Sequence, residues 1–237
     1  MEDRSVFDLT SDAPAHRVAY GAHPDQVMDV VGPGLESSHP IALLHGGYWR
    51  PQFDRTYLRP LASALGASVT TYNVEYRRVP GDPEGQWEDV QSALAHIAAH
   101  EGPPIVIGHS AGGHLALLAA IHRPELVRAC LAVAPVTDLV AAEESDADDG
   151  AVRDFLGGPA HEFAHLDPAR LPRPTVDYLV VHGTRDIRVP VEMSHDYGDT
   201  ITQDVGHFEW VDPRTPACAL IIDQALRWAE PRHQPTR

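Results

Sequence analysis

Residues 105–122 confine this chain to few folds. A short apolar run, Ile105–Ile107, passes directly into Gly108-His109-Ser110-Ala111-Gly112, and the Ala/Leu-rich segment 111–122 follows at once. A strand that turns sharply into a helix around a serine, with glycine on either side, is the G-x-S-x-G arrangement that presents a hydroxyl at the carboxyl end of a parallel sheet. Glycine is needed there because a side chain at either flank would collide with the adjoining strand or helix. The new helix also directs its first N–H groups at the turn, where they favour developing negative charge.

The rest of the chain has the rhythm that such a turn demands. Apolar runs at Val27–Val31, Ile41–Leu44, Val69–Val74, Ile105–Ile107, Ala129–Val133 and Tyr178–Val181 read as strands, and Ile201–Val205 as a last one. Several are continuous rather than alternating, as expected of parallel strands covered on both faces. Between them, Trp87, Val90, Leu94, Ile97 and Ala98 share one face of a helix over residues 86–100. Residues 111–122, 190–197 and 216–229 are further helices, with Pro190 and Pro216 at first-turn positions. Strand–helix alternation predicts an α/β fold, a doubly wound, mostly parallel sheet formed by residues 1–237 as a single domain. Residues 138–175 read as a small cap within it. Inside that cap Ala141–Gly150 is acidic and lacks an apolar face, so it reads as a mobile surface loop; the tail from Pro231 to Arg237 reads as frayed.

Composition excludes several classes of function. The 18 basic and 34 acidic residues give a formal charge of −16, which disfavours nucleic acid or an anionic membrane as partner. No apolar run reaches the roughly 18 residues of a membrane span, and no signal peptide is visible. Two cysteines, Cys130 and Cys218, cannot build a disulfide framework. They read as small core residues in a cytoplasmic protein.

A serine nucleophile needs a base, an acid that orients the base, and donors for the oxyanion. His45-Gly46-Gly47-Tyr48-Trp49 follows the strand Ile41–Leu44 and provides small residues whose N–H groups can turn toward a substrate oxygen. His207, between the last strand and the C-terminal helix, is the candidate base among 15 histidines. Asp186, just past the strand Tyr178–Val181, is the candidate acid; Asp138 and Asp177 are its rivals. Tyr48, Trp49 and His109 are candidate substrate-binding residues, since pockets are lined by aromatics. His114 and His122 read as packing or surface residues of one helix. One motif competes: His161-Glu162-Phe163-Ala164-His165 fits the H-E-x-x-H pattern of zinc hydrolases. Gly157-Gly158-Pro159 before it and Asp167-Pro168 after it leave only about two helical turns, so a zinc hydrolase using His161 and His165 stands as the lesser alternative beside a short cap helix with solvated histidines.

From Ile41 to about Ala229 the chain resembles the α/β-hydrolase superfamily. Its His45–Trp49 and Gly108–Leu115 stretches resemble the kynurenine formamidase (arylformamidase) branch, in which H-G-G-x-W replaces the H-G-G-G of related esterases. Val74-Glu75-Tyr76-Arg77-Arg78 is similar to bacterial esterases and lipases. The resemblance implies Ser110 as nucleophile, His207 as base, Asp186 as acid, and the N–H groups of Gly47, Tyr48 and Ala111 as the oxyanion hole. It implies hydrolysis of a small-molecule substrate without metal or organic cofactor: an N-formyl arylamide such as N-formylkynurenine, or, with the same triad, a short-chain carboxylic ester. Tyr48 in place of the third glycine narrows the room for an acyl group. A homodimer is compatible with the fold.

Overall fold

In the computed structural model of the chain, residues 4–11, 15–33, 38–145, 149–197 and 201–230 are described. Eight strands form one sheet: β1 (His16–Ala19), β2 (Val27–Val31), β3 (Ile41–Leu44), β4 (Thr71–Val74), β5 (Ile105–His109), β6 (Ala129–Val133), β7 (Asp177–Gly183) and β8 (Ile201–Gln203). Their order is β1-β2-β4-β3-β5-β6-β7-β8. The β1–β2 and β2–β4 pairs are antiparallel, and every pair from β4 to β8 is parallel. The sheet is thus the mostly parallel α/β sheet expected from the strand–helix rhythm, and its fold is the α/β-hydrolase fold that the resemblance implies.

Continuous apolar strands serve both faces of this sheet. Ala42 and Leu44 of β3 point to one core with Val106, Cys130 and Ala132, whereas Ile41 and Leu43 point to the other with Ile105, Ile107 and Leu131. Helices α2 (Pro83–Glu101) and α3 (Ala111–His122) cover the first face, and α1 (Arg59–Gly66) and α6 (Pro216–Ala229) cover the second. Helix α2 starts at Asp82, whose carboxylate accepts the Gly85 N–H, and α6 at Thr215, whose hydroxyl accepts the Cys218 N–H. Pro83 and Pro216 occupy first-turn positions that need no N–H. Helix α3 is buried all round, so its composition is small and apolar rather than amphipathic. Cys130 and Cys218 are buried free thiols, each pushed up to about 12 by burial.

Several expected boundaries shift. β1 and α1 have no counterpart in the sequence-based reading. β1 is a largely exposed edge with no apolar run. The expected strand 69–74 begins only at Thr71, because the Val69 N–H is still held by Leu65 O in the last turn of α1. β5 runs on to His109, which pairs with Val133 of β6. The expected helix 190–197 is a 3-10 turn, Val191–Tyr197, started by Met193 N–H to Pro190 O. The last strand is three exposed residues long, not five.

The stretch 138–175 between β6 and β7 holds α4 (Leu139–Glu144), α5 (Ala151–Leu156) and three 3-10 turns. The acidic segment 141–150 is therefore not a loop throughout, since residues 141–144 belong to α4. Helix formation there follows from Asp138, which caps α4 by accepting the Ala141 N–H, and from Leu139 and Ala142, which are buried. Residues 146–148 and 231–237 lie outside the described residues.

Candidate active site

Ser110 sits at the junction of β5 and α3 with φ 58° and ψ −119°, a conformation that side chains rarely adopt. Its N–H donates to Val133 O at 2.8 Å, which pins the turn to β6. The flanking glycines are steric requirements. A Cβ on Gly108 would lie 2.0 Å from Gly112 O, and one on Gly112 would lie 2.1 Å from Leu44 O. Helix α3 therefore packs directly on the strand ends, with Ser110 raised above them.

The loop after β3 lies against this turn, so close that a Cβ on Gly46 would be 2.8 Å from Ser110 Cβ. Gly47, Tyr48 and Trp49 follow with φ of 109°, 52° and 57°. Three successive residues at positive φ reverse the chain, and Tyr48 and Trp49 both join the first apolar core. The Gly46 N–H is donated to Tyr57 Oη at 2.7 Å. That N–H is therefore already committed, whereas Gly47 and Tyr48, expected from the sequence as oxyanion donors, lie farther along the loop, and Ala111 opens α3.

A buried ionic cluster braces this loop from behind. The His45 ring stacks on Tyr76 at 4.3 Å, and its Nε2 lies 3.0 Å from Glu75 Oε1. Glu75 Oε2 accepts from Arg55 Nη1 at 3.1 Å, and Arg55 donates to both oxygens of Asp29, at 2.9 and 3.0 Å. Burial pushes the Glu75 carboxyl up, but hydrogen bonding to His45 and the charges of His45 and Arg78 bring it down to about 2. Sequence reasoning singled out neither Asp29 nor Arg55; only their meeting in space gives them a role.

Asp186 and His207 come together from separate loops. His207 Nδ1 donates to Asp186 Oδ2 at 2.6 Å, and both side chains are almost fully buried. Asp186 Oδ1 accepts from the N–H groups of Arg188 and Val189, at 2.8 and 2.9 Å. His182, on β7, lies behind the carboxylate with Nε2 3.3 Å from Asp186 Oδ2. That Nε2–H donates to Val189 O at 2.9 Å, so the Ser194 hydroxyl donates to Nδ1 at 2.7 Å. Burial alone would raise the Asp186 carboxyl. The His182 N–H that Asp186 shares with Val189 O, the hydrogen bond from His207 and the charge His207 can carry outweigh it and hold the carboxyl well below the usual range. Sequence reasoning gave His182 no role; its buried place beside the acid is what assigns one.

Ser110, His207, Gly47, Tyr48 and His109 all line one cleft of about 470 Å³ including its mouth. Its remaining walls are Arg4, Phe7, Phe53, Tyr57, Arg188 and Phe208. The N-terminal turn thus reaches the site: Phe7 packs on Tyr57 at 5.4 Å and edge-on against Phe208 at 5.0 Å. No periodicity near residue 7 signals this.

Other sequence-predicted residues lie elsewhere. Trp49 does not line this cleft; it is 3% exposed and stacks on Phe155 of α5 at 4.5 Å. Nor, among the described residues, does any part of 138–175. His109 does line the cleft, but its side chain is almost fully buried and hydrogen-bonded at both ring nitrogens. Asp138 caps α4, and exposed Asp177 opens β7 at the end away from Asp186. His114 is buried, with Nε2 donating to Leu166 O, and exposed His122 meets His165 O. The H-E-x-x-H stretch is not a helix. It splits into 3-10 turns at Ala160–Glu162 and Ala164–Leu166, and His165 pairs with Glu84 at 2.6 Å. Among the described residues, no group of three or more His, Cys, Asp or Glu side chains could hold a metal ion. No helix among them is long and apolar enough to cross a membrane.

A sequence model of the alpha/beta hydrolase family matches residues 41–235. Among curated proteins, the chain is 28% identical over 103 residues to an sn-1-specific diacylglycerol lipase, ABHD11, of Danio rerio, covering 42% of this chain and 32% of that protein. It is 50% identical over 60 residues to the mitochondrial palmitoyl-protein thioesterase ABHD10 of Rattus norvegicus, covering 25% and 20%. The chain thus spans about a third or less of the length of these relatives. Among solved structures, an inhibited esterase B from Lactobacillus rhamnosis superposes with a TM-score of 0.70 at 19% identity, covering 94% of this chain and 89% of the other.

Proposed function

This chain belongs to the alpha/beta hydrolase family, and we propose that it is a serine hydrolase that cleaves small-acyl esters through an acyl-enzyme. The observation that carries this reading is the convergence on one cleft of a strained Ser110 and a His207 already oriented by Asp186.

The chemistry follows from the hydrogen-bond directions. With Nδ1–H donated to Asp186, the other nitrogen of His207 is the one able to accept a proton. Ser110 Oγ attacks the substrate carbonyl as His207 Nε2 takes its proton. The N–H groups of Gly47, Tyr48 and Ala111 face the developing oxyanion, a contribution of about 3 kcal/mol per donor in related sites. Asp186, kept ionised, stabilises the imidazolium. His207 then protonates the leaving alcohol, and water activated by the same ring releases the acid. No metal or organic cofactor enters these steps, and the substrate is a small molecule. The net charge of −16 keeps nucleic acids and anionic membranes out of the reading.

A finer reading, hydrolysis of an N-formyl arylamide, draws support from the cleft walls. Tyr48 occupies the place of a third glycine, and Phe7, Phe53, Tyr57 and Phe208 offer flat faces to an aryl group. The experiment is kcat/KM on p-nitrophenyl acetate beside N-formylkynurenine in chelator-containing buffer, with Ser110→Ala and fluorophosphonate labelling as controls. Ester turnover, stoichiometric labelling at Ser110 and loss of both in Ser110→Ala are the expected outcome. Activity near wild type in Ser110→Ala overturns the mechanism. Formamide turnover at roughly 10⁴ M⁻¹s⁻¹ or above selects the finer reading, and ester turnover with negligible formamide turnover removes it.

A further inference from the structure

Two of the cleft's groups, the Tyr57 hydroxyl and the His109 ring, form a bridge that the catalytic steps above do not use. Tyr57 belongs to the 3-10 turn Arg55–Leu58, which follows the oxyanion loop but is far in sequence from the loop of His207. His109 fills the variable position of the serine turn. Every hydrogen bond along the bridge has one permitted direction. His207 O is a carbonyl and can only accept, so His109 Nε2–H donates to it at 3.0 Å. The neutral ring then has Nδ1 as acceptor, so the Tyr57 O–H donates to it at 2.8 Å. Tyr57 Oη in turn accepts the Gly46 N–H at 2.7 Å. The chain Gly46 N–H, Tyr57 O–H, His109 N–H, His207 C=O runs unbroken from the oxyanion loop to the loop of the base. Its middle members, Tyr57 and His109, line the same cleft as Ser110. A positively charged His109 would carry hydrogen on both nitrogens and reverse the Tyr57 link, leaving the Tyr57 O–H without its acceptor. Burial and the neighbouring His207 prevent that by pushing the ring down to about 3. The bridge is also packed: the His109 ring lies 4.5 Å from His207 and 5.8 Å from Tyr57.

We propose that Tyr57 and His109 are positioning residues, a neutral bridge that locks the oxyanion loop and the His207 loop into one body around Ser110. This rests on the serine-hydrolase reading for its catalytic consequence, but the bridge itself does not. Catalytic groups lose rate steeply when displaced by even 1 Å, so a bridge that fixes the distance between donors and base acts on kcat more than on KM.

The test uses a pair of substitutions at each end. Tyr57→Phe removes only the hydroxyl and keeps the ring that packs on Phe7. His109→Gln keeps one acceptor and one donor on a neutral group, whereas His109→Met keeps bulk without either. On p-nitrophenyl acetate, Tyr57→Phe and His109→Met should each lose about 10- to 100-fold in kcat, with KM changed less than about threefold. Fluorophosphonate labelling of Ser110 should slow by the same factor. His109→Gln should recover most of the rate, a rescue that a role in acid–base chemistry would not allow. Amide hydrogen exchange provides a readout independent of activity. In Tyr57→Phe it should rise together at residues 46–48 and at 206–208, although the lost hydroxyl touches only the first loop and His109. Exchange that rises at 46–48 alone, or His109→Met with wild-type kcat, or His109→Gln as slow as His109→Met, overturns the bridge. Absence of ester turnover and of Ser110 labelling in the wild-type chain would overturn the serine-hydrolase reading instead, and the exchange result would still decide the bridge.

Discussion

Replacing Asp186 with asparagine tests the site more sharply than deleting the carboxylate, because the surroundings dictate which way the amide must face. Oδ1 accepts two backbone N–H groups, from Arg188 and Val189. An amide nitrogen there would set donor against two donors, so the asparagine oxygen takes the Oδ1 place and its NH2 the Oδ2 place. The NH2 then faces His207 Nδ1 at the 2.6 Å contact, where a donor now stands in place of an acceptor. His207 must offer a lone pair at Nδ1 and carry its hydrogen on Nε2, the tautomer that cannot take a proton from Ser110. The side chain keeps its shape and its backbone contacts, so the fold survives while the base is disabled. A wrong tautomer of this kind costs about 10⁴-fold in kcat, or about 5.4 kcal/mol at 1.36 kcal/mol per factor of ten. The assay is kcat and KM on p-nitrophenyl acetate, with circular dichroism as fold control. Asp138→Asn and Asp177→Asn are the comparison variants, and each should stay within about threefold of wild type, since asparagine caps a helix as well as aspartate does. Stability carries a second signature. A carboxyl held below its free value of 3.8 stabilises the fold above that pH, and the contribution is lost as pH falls through the folded-state value. The stability gap between wild type and Asp186→Asn should therefore be full at neutral pH and close in acid. Activity in Asp186→Asn within tenfold of wild type, or a collapse in Asp138→Asn, refutes the assignment of the acid.

Two further outcomes follow from steric and ionic details. Gly112→Ala places a Cβ 2.1 Å from Leu44 O and 2.5 Å from His45 O, both backbone atoms that cannot turn aside; the expected loss is about 3 kcal/mol, read as a fall of roughly 6–12 °C in Tm. His161→Ala combined with His165→Ala should leave ester hydrolysis within twofold of wild type and insensitive to chelator, because His165 makes only a half-exposed pair with Glu84, worth under about 1 kcal/mol; chelator-sensitive turnover would revive the metal reading of that motif.

What could be read in the sequence was whatever depended on local pattern. The parallel strands β3, β5, β6 and β7 were legible because burial on both faces demands continuous apolar runs, a requirement visible within four or five residues. The serine turn was legible because Gly108 and Gly112 are the only residues its geometry admits. Elements held by tertiary contacts alone were not. β1 is an exposed edge with one inward valine, and β8 exists by pairing with β7 rather than by its own apolarity. Residues 190–197 carry a helical first turn at Pro190, yet Ser194 and Tyr197 are drawn into the core and the segment tightens to 3-10. At 141–144 a run that looked too acidic for structure is helical because Asp138 caps it and Leu139 and Ala142 anchor it.

The same division runs through the site and explains where specificity was misplaced. Ser110, Asp186 and His207 each follow a strand, so their positions could be counted from strand ends; Ser110 and His207 line one cleft, and Asp186 is hydrogen-bonded to His207. Trp49 was read as a wall because it neighbours Tyr48 in sequence; both rings join the same apolar core, but only Tyr48 also lines the cleft, while Trp49 stacks on Phe155. The walls that replace it come from residues 4, 7, 53, 57, 188 and 208, six positions on four separate segments. No window of sequence contains them together. Chemistry in this fold is set by strand ends and survives change elsewhere, whereas the cleft is assembled from loop tips whose partners are remote. Substitutions in the N-terminal turn should therefore alter which acyl or leaving group is accepted while leaving the reaction type intact.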